Sequence, residues 1–163
     1  MALIVETGLL VSGANSYVDL STARSYALSR QKELPTSNTD LESYLIQAMD
    51  FIESYGSEFK GSKVDVAQSL QWPRQNVYID SILFDYQSIP QQLINLQCQL
   101  VIEIQAGVNL FPTVTDPFVT EEMVGPIKIK YEGKYGISNS LPYVNSYLKQ
   151  LLKSSFGLTV VRA

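Results

Sequence analysis

One stretch of the chain, residues 89–109, leaves few ways to fold. Ile89, Leu93, Leu96, Leu100 and Ile104 recur at the three-and-four spacing of a helix, and Ile94, Val101, Ile102 and Val108 widen the stripe beyond one face. The polar positions between them are nearly all amides: Gln91, Gln92, Asn95, Gln97, Gln99, Gln105 and Asn109, with Glu103 the single charge. A solvated helix face normally carries lysine and glutamate. This helix is therefore expected to be enclosed on most sides, by its own domain or by neighbouring subunits. Gln92, Asn95, Gln99 and Gln105 are the candidates for a subunit interface; the alternative is a central core helix whose amides face loops.

The other elements are placed around it. Asp19 or Ser21 is suited to cap a helix over about 22–32, with Ala23, Tyr26, Ala27 and Arg30 on successive turns. Thr39-Asp40-Leu41-Glu42 has the form of a capping box, opening a helix whose buried stripe is Leu41, Tyr44, Leu45, Ala48, Met49, Ile52 and Tyr55, with Gly56 at its end. Residues 57–88 read as an irregular loop. Trp72, Pro73 and Arg74 are its expected anchor, with the indole buried against the helices, and Val77–Phe84 is suited to a small hairpin around Asp80-Ser81. Phe111–Pro117 reads as a linker. Ile127, Ile129 and Tyr131 alternate with Lys128 and Lys130 as in a strand with one buried face. Leu141-Pro142 opens a last helix ending at Gly157 and followed by an extended tail. The fold class expected is mainly α: a small bundle of about four helices with an irregular loop, short β elements and an extended C-terminal arm.

Composition excludes most chemistry. The chain has no histidine and one cysteine in 163 residues. That removes Ser-His-Asp and Cys-His catalysis, histidine-based zinc or haem sites, disulfides and iron–sulfur clusters. Cys98, inside the apolar helix, reads as a small buried hydrophobe. Gly56–Lys63 imitates a phosphate-binding loop, but its lysine and serine are transposed and it follows a helix, so it reads as a turn. Glu121-Glu122 and the Asp50/Glu53 pair read as solvated carboxylates. No cofactor, metal or catalytic role is expected. The start of the chain lacks the apolar run of roughly 7–15 residues that a signal peptide needs, and no run approaches a membrane span.

Charge is divided unevenly. Residues 1–126 carry 6 basic and 15 acidic groups, whereas 127–163 carry 6 basic groups against Glu132 alone, a balance of −9 against +5. This divides the chain into a body, 1–126, and a basic strand–helix–tail arm, 127–163. Lys149 and Lys153 are expected at i,i+4 on one face of the last helix. Leu158, Val160, Val161 and Arg162 form a β-prone tail suited to strand addition on a partner. Tyr131 and Tyr135 interleave with Lys128, Lys130 and Lys134, a pattern that serves either a half-buried strand or stacking beside phosphate contacts.

Several short motifs together resemble a family. In order they are Val5-Glu6-Thr7-Gly8, Ala14-Asn15-Ser16-Tyr17-Val18, a helical pair ending in Tyr55, Phe59-Lys60-Gly61, Gln71-Trp72-Pro73-Arg74, Ile89-Pro90, Val124-Gly125-Pro126-Ile127, and a basic C-terminal tail. The chain resembles the small head–tail adaptor, connector or head-completion, proteins of tailed bacteriophages, a group often labelled DnaT-like single-stranded DNA-binding proteins. The resemblance implies a non-enzymatic structural virion protein: a homo-oligomeric ring of roughly twelve copies in the neck of the particle, made in the host cytoplasm. Its partners would be the portal protein, tail or stopper proteins and genome DNA passing through the channel without sequence-specific binding, with no membrane. The alternative function is that of a single-stranded DNA-binding replication accessory protein.

Overall fold

The helix foreseen at 89–109 is the centre of the molecule. In the computed structural model it is the segment that the other three helices touch. The structure describes residues 2–111, the strands 121–124 and 127–130, and residues 141–153. Along the chain run α1 (Leu20–Leu28), α2 (Asn38–Glu53), a single 3-10 turn (Gly56–Glu58), β1 (Ser62–Lys63), β2 (Arg74–Gln75), β3 (Tyr78–Ile79), β4 (Ile82–Leu83), α3 (Gln91–Gln105), β5 (Glu121–Val124), β6 (Ile127–Lys130) and α4 (Pro142–Leu151). The strands form three two-stranded antiparallel pairs: β1 with β2, β3 with β4, and β5 with β6.

The mainly α bundle expected from the sequence is corrected to a mixed α/β fold of four helices and small antiparallel pairs among the described residues. The reason lies in turn chemistry. Between α2 and α3, Gly61, Asn76, Asp80 and Ser81 all take positive φ. The chain reverses at short intervals, and backbone groups that would face water in a loop pair across instead. Asp80-Ser81, with φ of 50° and 67°, has two successive left-handed residues, the conformation a tight hairpin favours. It sets Tyr78 against Leu83 and Ile79 against Ile82. Gly61 (φ +66°) brings β1 so close to the Gln75 carbonyl that an added Cβ would collide with it.

Helix ends differ from the expected ones for local reasons. Asp19 caps α1, its carboxylate accepting from the Thr22 amide at 2.7 Å. The helix stops early because Gln31 adopts φ +56°, while the amides of Gln31 and Lys32 fold back onto the carbonyls of Leu28 and Ala27. α2 is capped by Ser37, which accepts from the Asp40 amide at 3.3 Å, so the capping box at Thr39–Glu42 is replaced by the frame two residues earlier. α3 ends at Gly107 (φ +89°) in the same manner as α1, with the Val108 amide reaching the Glu103 carbonyl. α4 ends at Leu151 and not at Gly157, because the next residue turns extended and pairs with Phe59. Lys153 therefore lies beyond the helix and shares no helical face with Lys149.

The core is one cluster. Leu41, Leu45 and Ile52 of α2, Leu93, Leu96, Leu100 and Val101 of α3, and Val144, Leu148 and Leu151 of α4 are packed into it with Phe59 and Trp72. The helix within the segment 127–163 thus shares the apolar interior of residues 1–126. Trp72, fully buried, meets the Phe59 ring edge-on at 5.9 Å. Arg74, also buried, donates from Nε to the Lys60 carbonyl (2.8 Å) and from Nη2 to the Gly61 carbonyl (3.0 Å). Arg74 thus ties the 57–88 segment to itself, while Trp72 packs into the core cluster with residues of the helices.

Two polar networks run through this interior. The fully buried Gln97 accepts from the Tyr17 amide (2.9 Å) and donates to Ser16 Oγ (2.9 Å) and to the Leu45 carbonyl (2.8 Å). Tyr17 in turn donates its hydroxyl to Glu53 (2.5 Å) and accepts from the Trp72 amide (3.2 Å), while Glu53 also accepts from the Gln71 amide. Glu53 is therefore not on a solvated face, as the Asp50/Glu53 pairing suggests, but in a network that ties α2 to the Trp72 loop.

Replacing Gln97 by Leu keeps the apolar volume but strands the buried Tyr17 amide. The expected loss is about 1–3 kcal/mol, read as a lower urea midpoint; an unchanged midpoint would show that the network carries no stability. Glu53 gives a second, pH-dependent expectation. Burial pushes its carboxyl above the ordinary range, against the hydrogen bonds from Tyr17 and Gln71, which pull it down. A raised pKa stabilises the fold below the ordinary carboxylate range, and that contribution is lost as pH rises through the raised value. Glu53→Gln, a mimic of the protonated form, should gain on the native protein as pH goes from about 4 to about 7. Parallel pH profiles for the two proteins would contradict the assignment.

Candidate nucleic-acid interface

The early stop of α1 has a consequence at the surface. With the chain reversed at Gln31, Arg30 turns back over its own helix, and its guanidinium lies 3.4 Å above the centre of the Tyr26 ring. Arg30 Nη1 is held there by the Tyr26 carbonyl (3.0 Å) and Ser29 Oγ (2.9 Å). The planar cation and the ring form a preorganised stack. Across from it, α4 presents Tyr143 and Tyr147, one turn apart. The two helices flank a cleft of about 370 Å³ whose floor is α3, at Gln99 and Ile102, with Lys32 at the rim.

The cleft joins three tyrosines to two cations. Tyr143 is 70% exposed, a large ring with little packing of its own. Tyr26 and Tyr147 are half-buried. Burial and the adjacent Tyr147 hydroxyl push the Tyr26 phenol well above its ordinary range, with Arg30 opposing, so Tyr26 stays neutral at physiological pH. Gln99 Nε2 donates to Glu103 at 2.8 Å. An ionised carboxylate only accepts, which fixes the orientation of the amide.

The residues singled out from the sequence fall elsewhere, with one exception. Gln99 forms part of the cleft floor. Gln92 and Asn95 are half-buried, and Gln105 is exposed at the end of α3. Asn95 accepts from Gln91 (3.0 Å) along the same helix. Lys149 is exposed on α4, while Lys153 donates to the Ser57 carbonyl at 2.9 Å and lines a second cavity. Leu158, Val160, Val161 and Arg162 lie outside the described residues, as do Tyr131, Lys134 and Tyr135. Lys128 pairs with Met123, and Lys130 with Glu121, in the β5–β6 hairpin. Among the described residues no group of three or more cysteines and carboxylates is placed to hold a metal ion, and no helix is long and apolar enough to cross a membrane.

Tyr26, Arg30, Lys32, Tyr143 and Tyr147 were not singled out by sequence as a site. The signal was present in halves: Tyr26 and Arg30 are four apart, and so are Tyr143 and Tyr147. Nothing local shows that the two pairs face one another across α3.

The protein-family comparison covers the whole molecule. Residues 1–163 match the family described as "Putative DnaT-like ssDNA binding protein". The chain belongs to that family. Searches of curated proteins and of solved structures returned no match. The family match corrects the head–tail connector function: the family is described by single-stranded DNA binding, which agrees with the alternative. Of the two enclosures expected for the amide-clad helix, its own domain or neighbouring subunits, the first is what surrounds Gln97, through the chain's own α2 and N-terminal segment.

Cys98 lies behind the cleft, buried, with its thiol pushed up to about 12 by burial. A thiol held protonated is a poor nucleophile. It should resist Ellman's reagent in the native protein and react fully in denaturant; rapid native labelling would mean that the α1–α3 contact opens.

Proposed function

We propose that this protein is a non-enzymatic accessory factor that binds single-stranded DNA through the cleft between α1 and α4. The carrying observation is the meeting of Tyr26, Tyr143 and Tyr147 with Arg30 and Lys32 around one opening. A single strand offers unstacked bases and phosphates together. Aromatic rings take the first and cations the second, without sequence readout. The family description supports the same reading.

The electrostatics shape this function. The whole chain carries a net charge of −4, so no general attraction draws it to a polyanion. Binding depends on stacking and on the two local cations. A duplex, whose bases are already stacked inside, offers the rings nothing and meets the acidic surface alone.

Fluorescence anisotropy with labelled oligothymidylate tests this. Stacking of a base on an aromatic ring contributes about 1–3 kcal/mol, so Tyr143→Ala should weaken binding about 5- to 150-fold while the exposed site leaves the fold intact. With Arg30 and Lys32 each on a phosphate, log affinity should fall with log salt at a slope of about −1.4, and Lys32→Gln should reduce it by about 0.7. Equal affinity of the native protein and Tyr143→Ala, or preference for duplex, would refute the proposal.

A further inference from the structure

We infer that a bound strand continues along α4 to a second subsite at its C-terminal end, built from Tyr78, Lys60 and Lys153. The inference rests on the reading of the tyrosine cleft as a single-strand site. A cavity of about 450 Å³ lies there between the β3–β4 hairpin and the chain leaving α4. It repeats the chemistry of the first: an aromatic ring, Tyr78, 56% exposed, beside two ammonium groups.

The ammonium groups are positioned and keep donor capacity. Lys60 Nζ donates to the carbonyls of Gln150 (2.7 Å) and Tyr78 (3.3 Å), and Lys153 Nζ donates to the Ser57 carbonyl (2.9 Å). These partners are neutral, and each ammonium has three hydrogens to give. Among the described residues Asp80 is the one carboxylate lining the cavity, beside two lysines. Lys60 also serves α4 directly, as a cation on the carbonyls of a helix C-terminus.

α4 connects the two subsites. Tyr143 and Tyr147 lie at i and i+4 on one face of the helix, and in its last turn the Gln150 carbonyl accepts from Lys60. Ten residues of helix span about 15 Å, the length of roughly four nucleotides at a rise of 3.4 Å. A trinucleotide occupies the cleft alone, whereas a longer strand reaches both ends.

The test uses dT3 and dT12 with the native protein, Tyr143→Ala, and the double variant Tyr78→Ala/Lys153→Gln. Lys60 is left in place because of its role at the helix end. The double variant is expected to lose about fivefold or more in dT12 affinity, the lower bound of one stacking contact, and to bind dT3 as the native protein does. Tyr143→Ala should weaken both. Undiminished dT12 affinity in the double variant would overturn the second subsite while leaving the cleft standing. Failure of the native protein to bind either oligomer would overturn the cleft and this inference with it. If the double variant does not fold, Lys153→Gln alone must still lower the salt slope for dT12 and not for dT3; equal slopes would overturn the inference.

Discussion

A single buried amide holds three separate parts of this protein in register. Gln97 sits at the middle of α3 with no contact to water, and its oxygen and nitrogen between them engage Tyr17, Ser16 and the Leu45 carbonyl. An amide in an apolar interior is costly unless its partners are all present. The N-terminal segment, α2 and α3 therefore arrive at one arrangement or leave this group stranded. Tyr17 carries the constraint outward, since its hydroxyl meets both Glu53 and the Trp72 amide. Burying leucine side chains drives these elements together, but leucine is indifferent to rotation by a few degrees. The hydrogen bonds select one alignment of the N-terminal segment, α2 and the Trp72 loop around α3, the helix on which α1 and α4 also pack.

Several of the segments that carry the resemblance belong to this framework. Asn15-Ser16-Tyr17 and Gln71-Trp72-Pro73-Arg74 are joined by the Tyr17 hydroxyl, and Glu6 accepts from the amides of Gly8 and Val11 to shape the N-terminal loop. Phe59-Lys60-Gly61 lies under the Arg74 guanidinium. None of these segments lines the tyrosine cleft, although Lys60 and Gly61 line the cavity at the far end of α4. The resemblance therefore tracks the scaffold more closely than the tyrosine cleft.

Much of the fold was legible where periodicity is long. α2 and α3 could be read from apolar spacing, and the β3–β4 hairpin from Asp80-Ser81 between two apolar runs. Helix ends were less legible because the sequence offers competing frames: Ser37 with Asp40 beside Thr39 with Glu42, and a left-handed residue at Gln31, where no glycine announces it. β1 and β2 were not legible because two-residue strands carry no alternation, and the arginine beside them, Arg74, is buried. The cleft was legible only as two unrelated i,i+4 pairs. Bringing them together depends on how α1 and α4 pack on α3, which is a property of the tertiary fold and not of either helix.

The junction between the turn after α2 and the end of α4 bears on how the chain is made. Phe59 bridges Leu152, the Lys60 amide meets the Leu151 carbonyl, and Lys153 reaches Ser57, 96 positions away. Contacts so distant in sequence bring their enthalpy only after a large loop has closed. During synthesis α1, α2 and α3 leave the ribosome well before α4, and until it arrives the apolar side of α3 that Val144, Leu148 and Leu151 will cover stays open. The interval is one of exposed hydrophobic surface, and its end coincides with the appearance of the tyrosine cleft. The same helix that seals the core supplies half of the tyrosine cleft, so a chain still waiting for α4 has no such cleft.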